Sequence, residues 1–375
     1  MKILFISEYI LDPKQGAYEN TKSNYKAICN IVGKENVTVV ALNSERNIVH
    51  SSFITYQSYS SLIGRISNIL QGNVSVINNK IIKEILTLID NGNFDTVYFD
   101  NSYYGRLARK IKKRYISIKL VVFFHDIMFE FAVQHMKLGL FKRFPEFITM
   151  IYNEWLSTKY CDKKIVLNDR ENNNLYKYYH IKADILLPVC YEDQVDDFYF
   201  KETQKDTGEF RLLFVGGYQW ANNRGIEWFI TNVFPNLDSN IYLYIAGRNM
   251  VRLDKEKHFS DNPYIIVVSN PDMEELKRLY ASANVVIAPI FNGAGMKTKT
   301  AEALMYGKAY LASSEALCGY ENLQRCLCNT KEDFISRINS YYYNNVDKFI
   351  DTNRQIYLKL YSVEAKENRL KDIFI

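Results

Sequence analysis

The chain has 375 residues, 47% of them apolar, and a formal net charge of +5. This length predicts two domains, and the apolar fraction is sufficient for two packed cores. The small charge does not indicate a nucleic-acid partner. The chain contains no run of about 18 apolar residues, so we predict no membrane-spanning helix.

The first half alternates short β-rich runs with longer helical runs, the pattern of a parallel α/β sheet. Its apolar start predicts a buried strand rather than a secretory signal, because Ser7 and Glu8 interrupt it. Strands are predicted at 3–6, 37–42, 96–99, 120–124, 164–167 and 185–187, and helices at 20–32, 77–90, 103–115, 141–160 and 169–178. A polar stretch at 193–209 then lacks apolar periodicity and predicts a linker.

A second α/β set follows the linker. Strands are predicted at 212–215, 241–246, 264–268, 285–288 and 309–312, and helices at 225–233, 273–281, 298–306, 332–342 and through most of 346–374. Two Rossmann-like halves predict ligand binding at the carboxyl ends of their strands.

Neither half carries a dinucleotide fingerprint. The first strand is followed by SEYILDPKQGAYEN, with one glycine, and Val215 is followed by GGYQWANNRG, with two adjacent glycines and a third only at Gly225. The chain also lacks the GxxxxGK[ST] phosphate loop. NAD-dependent enzymes and P-loop NTPases are therefore disfavoured.

The segment 289–312, PIFNGAGMKTKTAEALMYGKAYLA, is the most informative for function. A proline ends a buried strand, a loop with two glycines follows, and a helix is predicted to begin at Lys297 or Thr298. The start of a helix presents free N–H groups and about half a positive elementary charge. Glu302 can accept two hydrogen bonds from a ribose diol. The pattern predicts a site for phosphate and sugar, although such a unit binds nothing in many α/β proteins.

The ordered motifs resemble the retaining GT-B glycosyltransferases of group 1 (family four), of the bacterial surface-polysaccharide type. RLLFVGGYQWANNRGIEWFI, NPDMEELKRLYASANVVIAPI and GAGMKTKTAEALMYGKAYLAS are similar to the family's VG turn, its polar turn with the next helix and strand, and its donor signature. FFHD at 123–126 and the closing YLKLYSVEAKENRLKDIF resemble its N-domain histidine and last helices. The resemblance covers the whole chain and is strongest from 211 to 321.

The resemblance implies an α/β GT-B fold, in which two Rossmann-like domains face a central cleft and a C-terminal helix crosses back to the N-domain. The implied parts are an acceptor-binding domain at 1–192, a linker at 193–209, a donor-binding domain at 210–345 and returning helices at 346–375.

The resemblance also implies roles for individual donor-site residues. Glu302 matches the second of the family's paired glutamates, which holds the nucleotide ribose, whereas the first falls at Ala294 and is missing. Gly217 likewise stands where the family has an arginine, and Lys297 is expected to supply the missing charge at the diphosphate. Arg224 matches a phosphate-binding lysine. The donor-binding residues implied in this way are Gly16, Gly216, Gly217, Asn222, Arg224, Ser269, Pro271, Ala294, Gly295, Met296, Lys297, Thr298 and Glu302.

Catalytic roles are implied for His125, which matches a histidine lining the sugar and acceptor side, and for Glu302. A lone histidine at a strand end is also often structural. Asp126 and Glu130 follow in the chain and are expected near the acceptor.

The implied reaction is hexosyl transfer from a nucleotide-diphosphate sugar to a glycan or a polyprenyl-diphosphate-linked acceptor. Positioned cations and a helix dipole stabilise the departing diphosphate. In such enzymes the leaving phosphate takes the acceptor proton on the same face, so that configuration is retained. The chain has no DxD triad, which fits a metal-independent reaction with no cofactor beyond a UDP- or GDP-linked substrate.

The segment 106–119, RLARKIKKRYISIK, contains seven basic side chains and no acidic one. It predicts either a solvated helix face or attraction to an anionic membrane surface. The six cysteines lack zinc-site spacing and predict reduced thiols. We therefore expect a cytoplasmic protein, with a peripheral position at the inner face of the cell membrane as one alternative.

Two other functions remain open at this point. Nucleotide-sugar 2-epimerases share the architecture but are expected to have more carboxylates and histidines at their site. A non-catalytic partner subunit of a transferase is suggested by Ala294 and Gly217, where expected charges are absent.

Overall fold

The structure is a computed structural model that describes residues 1–12, 17–43, 52–57, 61–74, 76–137, 144–205, 208–293 and 295–375. The chain divides into two units, of which unit 1 comprises Met1–Pro188 with Val363–Ile375 and unit 2 comprises Val189–Ser362. Each unit has its own parallel sheet, as the alternating pattern predicted.

Unit 1 contains a seven-stranded parallel sheet. Its strands are β1 Ile3–Ser7, β2 Val37–Asn43, β3 Ile54–Gln57, β4 Thr96–Phe99, β5 Lys119–Phe124, β6 Lys163–Val166 and β7 Ile185–Leu186. They lie in the order β3-β2-β1-β4-β5-β6-β7. Ile3 pairs with Val37 on one side and with Thr96 on the other, so β1 is central. A strand buried on both faces needs a continuous apolar run, which ILFI supplies.

Helices cover this sheet. They are α1 Tyr18–Val32, α2 Leu62–Leu70, α3 Asn79–Gly92, α4 Gly105–Arg114, α5 Met128–Lys137, α6 Phe144–Tyr160, α7 Asp169–Tyr179 and, from the C-terminus, α15 Val363–Phe374. The buried core joins β1, β2, β4 and β5 to the apolar faces of α3 and α4.

Unit 2 contains a five-stranded parallel sheet. Its strands are β8 Phe210–Val215, β9 Ile241–Gly247, β10 Ile265–Ser269, β11 Val285–Ala288 and β12 Ala309–Ala312. They lie in the order β10-β9-β8-β11-β12. Its helices are α8 Asp197–Thr203, α9 Trp220–Asn232, α10 Met250–Lys257, α11 Met273–Ser282, α12 Thr298–Met305, α13 Lys331–Tyr343 and α14 Asp351–Leu360.

The predicted strands are confirmed within two residues at each end, whereas four helices and one strand of the described segments were missed. α8 lies inside the segment predicted as a linker. It forms because the Asp196 side chain accepts a hydrogen bond from the Tyr199 amide, and because the Tyr199 hydroxyl is buried against the Tyr306 carbonyl. α9 begins five residues before its predicted start. The predicted helical C-terminus consists of two helices, of which α14 groups with unit 2 and α15 with unit 1.

None of the helices in the described part of the chain is both long and apolar enough to cross a membrane.

Candidate functional site

The sheet of unit 2 has a topological switch point between β8 and β11. From β8 the chain runs outward to β9 and β10, and it then returns through α11 to β11 on the other side of β8. In open α/β sheets, the crevice at the carboxyl ends of two such strands is the usual binding position. We call the turn after β8, the loop after β11 and the start of α12 the β8–β11 edge.

Two glycines let the backbone pass closely through this edge. A Cβ on Gly225 would lie 2.2 Å from the Pro289 carbonyl oxygen, so α9 packs directly on the backbone that leaves β11. A Cβ on Gly216 would lie 2.9 Å from the Lys299 Nζ atom. The first two turns of α9 and α12 are therefore held beside each other at the switch point.

Lys299 extends from α12 across to the turn after β8. Its ammonium donates a 2.7 Å hydrogen bond to Asn222 Oδ1, and the Asn222 amide donates to the Gly217 carbonyl at 2.9 Å. Lys299 Nζ also lies 4.6 Å from the centre of the Phe214 ring. Burial, with a smaller effect from the charge of Lys297, lowers the pKa of Lys299 to about 7. The binding of an anion nearby would therefore favour the ammonium form of Lys299 at neutral pH.

Lys297 is oriented differently. Its ammonium donates to Glu315 Oε1 at 2.8 Å and to the Gly295 carbonyl at 3.2 Å, and both charged side chains are largely buried. The Tyr320 hydroxyl donates to the Lys297 carbonyl at 2.9 Å. Gly293 has φ +134° and lies against the Lys297 side chain. Lys297 therefore shapes the glycine loop before α12, and it is Lys299 that contacts the turn after β8.

Glu302 lies one turn after Lys299 on the same helix, and its carboxylate raises the pKa of that lysine slightly against the effect of burial. Its Oε2 atom accepts a 3.0 Å hydrogen bond from the buried Tyr280 hydroxyl. The Tyr280 ring stacks on Tyr306 at 4.4 Å, which fixes its position. Burial and the charge of Glu302 keep the pKa of Tyr280 above its usual range, so it remains a donor at neutral pH. The Tyr280 hydroxyl therefore fixes the orientation of the Glu302 carboxylate.

The other predicted donor residues of unit 2 lie around the same edge or beside it. Arg224 is in the second turn of α9, where its guanidinium lies 5.2 Å from the Trp220 ring and forms no ion pair with any residue that the structure describes. Ser269 accepts a hydrogen bond from the Val251 amide at the start of α10, which ties the turn before Pro271 to the turn after β9.

The turn after β9 supplies a cation that the sequence analysis did not select. Arg248 is exposed, and a Cβ added to Gly217 would lie 3.6 Å from Arg248 Cβ. The Tyr218 amide donates to the Arg248 carbonyl at 2.8 Å. A positive charge thus lies beside the position where the resemblance leaves an arginine missing.

Met296 is buried and Thr298 opens α12 after the N-cap residue Lys297, which has no capping side chain. Ala294 and Gly16, which were predicted to contact the donor, lie outside the described residues.

The sheet of unit 1 has its own switch point, between β1 and β4. A buried carboxylate, Asp100, directly follows β4 there. It accepts hydrogen bonds from Ser7 Oγ at 2.8 Å, Thr21 Oγ1 at 2.6 Å and Asn24 Nδ2 at 3.3 Å. His125 follows β5, and its Nε2 atom lies 3.6 Å from Asp100 Oδ1. We call this group the β1–β4 edge.

His125 is nearly buried, between the rings of Tyr9 at 5.3 Å and Phe123 at 4.7 Å. Its Nε2 atom has no hydrogen-bond partner among the residues that the structure describes. A buried imidazole nitrogen with an unmade hydrogen bond is available to a polar group of a ligand.

Glu8 and Tyr9 form a second layer of the β1–β4 edge. The Asn101 amide donates to Glu8 Oε1 at 3.3 Å and to the Tyr9 hydroxyl at 3.0 Å, and the Tyr9 hydroxyl lies 3.1 Å from that of Tyr103. Burial, with a smaller effect from the charge of Asp100, raises the pKa of Glu8 to about 8. Glu8 is therefore mostly protonated at neutral pH and can donate a hydrogen bond.

Two buried charges hold this edge in place. Glu154 of α6 accepts hydrogen bonds from the Met128 amide at the start of α5, from Ser102 Oγ at 2.7 Å and from the Tyr179 hydroxyl at 2.7 Å, and burial raises its pKa to about 7. It thereby ties the segment after His125 to the segment after β4.

The second buried charge is Lys366 of α15. Its ammonium donates to Asn20 Oδ1, Ser23 Oγ and Asn24 Oδ1 at 2.6–2.8 Å. Because the Asn24 amide also donates to Asp100, the C-terminal helix is linked through one side chain to the β1–β4 edge.

Asp126 and Glu130 are the remaining predicted acceptor residues. Asp126 follows His125 directly. Glu130 lies on α5 and is engaged by α7, where it accepts from the Tyr178 hydroxyl and lies 3.7 Å from Lys177 Nζ. No three His, Cys, Asp or Glu side chains of the described segments are grouped closely enough to hold a metal ion.

Comparison with known proteins agrees with this architecture. Residues 209–344 match the family model described as glycosyl transferases group 1. An uncharacterized 44.6 kDa protein from the cps region of Klebsiella pneumoniae is 25% identical over 305 residues, which are 74% of this chain and 75% of that protein.

Solved structures show the same fold at low identity. Sucrose-phosphate synthase from Thermosynechococcus elongatus has a TM-score of 0.73 at 14% identity, covering 100% of this chain and 98% of its own. Anabaena HepE in complex with UDP-glucose has a TM-score of 0.68 at 11% identity, covering 100% and 99%. WaaG, a glycosyltransferase involved in lipopolysaccharide biosynthesis, has a TM-score of 0.62 at 15% identity, covering 99% and 95%. The chain thus has the two-domain fold of GT-B glycosyltransferases, and its second unit carries the group 1 pattern.

Proposed function

We propose that this protein transfers a hexose from a nucleotide-diphosphate sugar to a glycan or lipid-linked acceptor, with retention of configuration. The observation that carries the proposal is the β8–β11 edge. There Lys299 meets the Gly216 turn at a topological switch point, inside the segment that matches the group 1 family model.

The donor is held by three kinds of group. The N–H groups at the start of α12 face the diphosphate, because that helix begins without a capping side chain. Lys299 and the exposed Arg248 supply the charge, and Glu302 accepts hydrogen bonds from the ribose hydroxyls. HepE, which shares the fold, was solved in complex with UDP-glucose, and this supports the proposal of a UDP- or GDP-linked donor.

Bond cleavage places negative charge on the leaving diphosphate. A positioned ammonium and a helix N-terminus stabilise that charge without reorganisation, and one such donor is worth about 3–4 kcal/mol in a water-excluded site. Lys299 is half-buried with a lowered pKa in the free protein, and the bound diphosphate holds it as the ammonium that faces the developing charge. The leaving phosphate accepts the proton of the acceptor hydroxyl on the same face, so no enzyme nucleophile is needed and configuration is retained.

The acceptor is proposed to bind at the β1–β4 edge. Glu8 is protonated there and can donate to a sugar oxygen, while the Nε2 atom of His125, 3.6 Å from Asp100 Oδ1, can hydrogen-bond a sugar hydroxyl. The similar protein from the cps region and the similarity to WaaG favour a surface-polysaccharide or lipid-linked glycan as the acceptor.

A nucleotide panel tests the donor half of the proposal. UDP, GDP, ADP and their glucose or mannose conjugates are titrated while the thermal midpoint is measured, and one base is expected to stabilise the protein. Lys299→Met should abolish most of that shift. Lys255→Met, an exposed lysine on α10 of the same unit, is the matched control and should retain it.

Turnover separates the proposal from its alternatives. Release of free nucleotide only when a glycan acceptor is present supports transfer. Conversion of the sugar nucleotide without an acceptor would instead indicate epimerisation, and tight binding without turnover on any acceptor would indicate a non-catalytic subunit. Chelation by EDTA is expected to leave the transfer rate unchanged, because the cations of the site are side chains.

A further inference from the structure

One face of unit 1 combines unpaired cations with exposed apolar side chains. α4 carries six basic residues, and the structure divides them into two groups. Lys112 and Arg114 are paired with Asp162 and Asp90, each at 2.7 Å. The other four line one cavity of about 420 Å³ together with an aromatic ring, and this basic groove consists of Arg106, Arg109, Lys110, Lys113 and Tyr152.

The carboxylates in the described segments leave the basic groove without a counter-charge. Arg106 lies three and four residues before Arg109 and Lys110, and Lys113 lies four and three residues after them, so the four cations share one side of α4. None of them forms an ion pair with a carboxylate in the part of the chain that the structure describes. Like charges so arranged repel one another, and an anionic partner relieves that repulsion.

An apolar stripe borders the groove on α6. Phe144, Ile148, Tyr152 and Trp155 are each 39–53% exposed and follow the helical period, so they lie in one row. Lys159 extends the row, with its ammonium 4.0 Å from the Trp155 ring. Tyr152 belongs both to the stripe and to the basic groove.

A second exposed row lies on α2, where Ile63, Ile66 and Leu70 are 51–83% exposed. The end of this helix lies beside the basic groove, since a Cβ on Gly72 would lie 2.5 Å from an Arg106 guanidinium nitrogen. Asn153 of α6 donates a 3.0 Å hydrogen bond to the carbonyl of Gly72, just after α2, and accepts one from the Arg106 amide of α4.

We propose that this face of unit 1 is the surface by which the protein binds an anionic lipid bilayer. The basic groove takes the phosphate headgroups, while the rows of α2 and α6 enter the boundary between headgroups and acyl chains. A nucleic acid would satisfy the cations but leave seven large apolar side chains in water, so a bilayer is the better match. This inference does not depend on the proposed transferase activity.

Co-sedimentation tests the inference with the full chain. Vesicles of phosphatidylcholine mixed with phosphatidylglycerol are compared with vesicles of phosphatidylcholine alone, at low and at high salt. Binding is expected for the mixed vesicles at low salt and should fall as salt screens the charges. Absence of binding to mixed vesicles at low salt overturns the proposal, as does tighter binding to a single-stranded oligonucleotide that displaces the vesicles.

Substitutions locate the surface. Each basic residue near an anionic bilayer strengthens binding about fivefold, so Arg109→Ala combined with Lys113→Ala should weaken partitioning about 25-fold. Lys80→Ala combined with Lys83→Ala removes the same charge from exposed positions on α3 and should change it less than twofold. Equal weakening by both pairs would assign binding to net charge alone and overturn the proposed face.

Fluorescence tests the apolar contact. The chain has three tryptophans, and Trp155 is the one that lies in the apolar stripe. Lipids brominated on the acyl chain should quench the wild-type emission, and the Trp155→Phe variant should lose that quenching while it still sediments with mixed vesicles. Unquenched emission from bound wild-type protein would refute insertion of this face.

Discussion

Lys299 should make donor binding depend on pH. Its pKa is lowered to about 7, first by burial and then by the nearby charge of Lys297. A diphosphate at hydrogen-bond distance favours the ammonium form and raises that pKa again. Above pH 7, binding must therefore be accompanied by uptake of a proton, and the affinity falls as the free lysine becomes neutral.

The magnitude follows from the free-protein pKa. With a value of about 7, Lys299 is roughly 90% protonated at pH 6 and roughly 10% protonated at pH 8. The dissociation constant should therefore rise about tenfold between these two pH values. A hydrogen bond to a charged group is worth about 1.5–3 kcal/mol, so removing the ammonium by Lys299→Met should weaken binding by about 10- to 150-fold at pH 6.

Isothermal titration calorimetry measures both effects. A nucleotide-diphosphate sugar is the suitable titrant, because its phosphodiester groups keep a constant charge between pH 6 and 8. Titration in buffers of different ionisation enthalpy should show almost no proton uptake at pH 6 and close to one proton at pH 8. Lys255→Met, the exposed control, should retain the wild-type slope.

Two results would refute the reasoning. If Lys299→Met keeps the tenfold change in affinity, another group is responsible for the pH dependence. If the wild-type protein takes up no proton at pH 8, the lysine does not contact the diphosphate.

Three further substitutions test the structure around the two edges. Glu302→Gln keeps an acceptor for the Tyr280 hydroxyl but should weaken nucleotide binding about tenfold or more in the same calorimetric assay, and unchanged affinity would remove Glu302 from the site. Lys366→Met leaves three buried neutral oxygens without their donor and should lower the free energy of unfolding by about 3–5 kcal/mol in urea, whereas the exposed Lys371→Met on the same helix should change it by less than about 0.5 kcal/mol. Gly225→Ala places a Cβ 2.2 Å from a backbone oxygen, so it should cost about 1–3 kcal/mol of stability and weaken nucleotide binding, and a variant as stable as the wild type would contradict the close packing of α9.

Most of the fold was predictable because its signals are local. The predicted strands are short apolar runs such as VVIA at Val285–Ala288. A strand covered by helices on both faces of its sheet needs apolar side chains in both directions, which such a run supplies. The missed elements lack that signal. β3 Ile54–Gln57 is a half-buried edge strand, and α8 depends on the burial of Tyr199 against a distant carbonyl rather than on its own periodicity.

Part of the candidate site was also visible in the sequence. The start of α12 was predicted within one residue, because Gly293 and Gly295 mark the loop before it and a 3.6-residue period follows. The role of its lysines was not visible. Lys297 is the N-cap residue of α12 and Lys299 lies in its first turn, and only the positions of Glu315 and of the turn at Gly216 determine which ammonium reaches which partner.

The sequence likewise did not identify all the residues of the β1–β4 edge in unit 1. Asp100, Glu8 and Glu154 were not selected, although the polar residues after β1 and β4 and a glutamate within an apolar helix were available signals. Their roles depend on which strands are neighbours, and β1 lies beside β4 although about 90 residues separate them.

The sequence by itself therefore determined two α/β units, most of their strands and a glycine loop before a basic helix. Hydrogen bonding within a helix and the periodic burial of one face both depend on residues that are close in the chain. The sequence pattern can therefore predict them. Tertiary structure alone decided that Lys299 meets Gly216, that Asp100 lies beside His125, and that four cations of α4 share a groove with Tyr152. Those charges acquire their chemistry from neighbours distant in sequence, because burial and opposite charge set the pKa and the partner of each one.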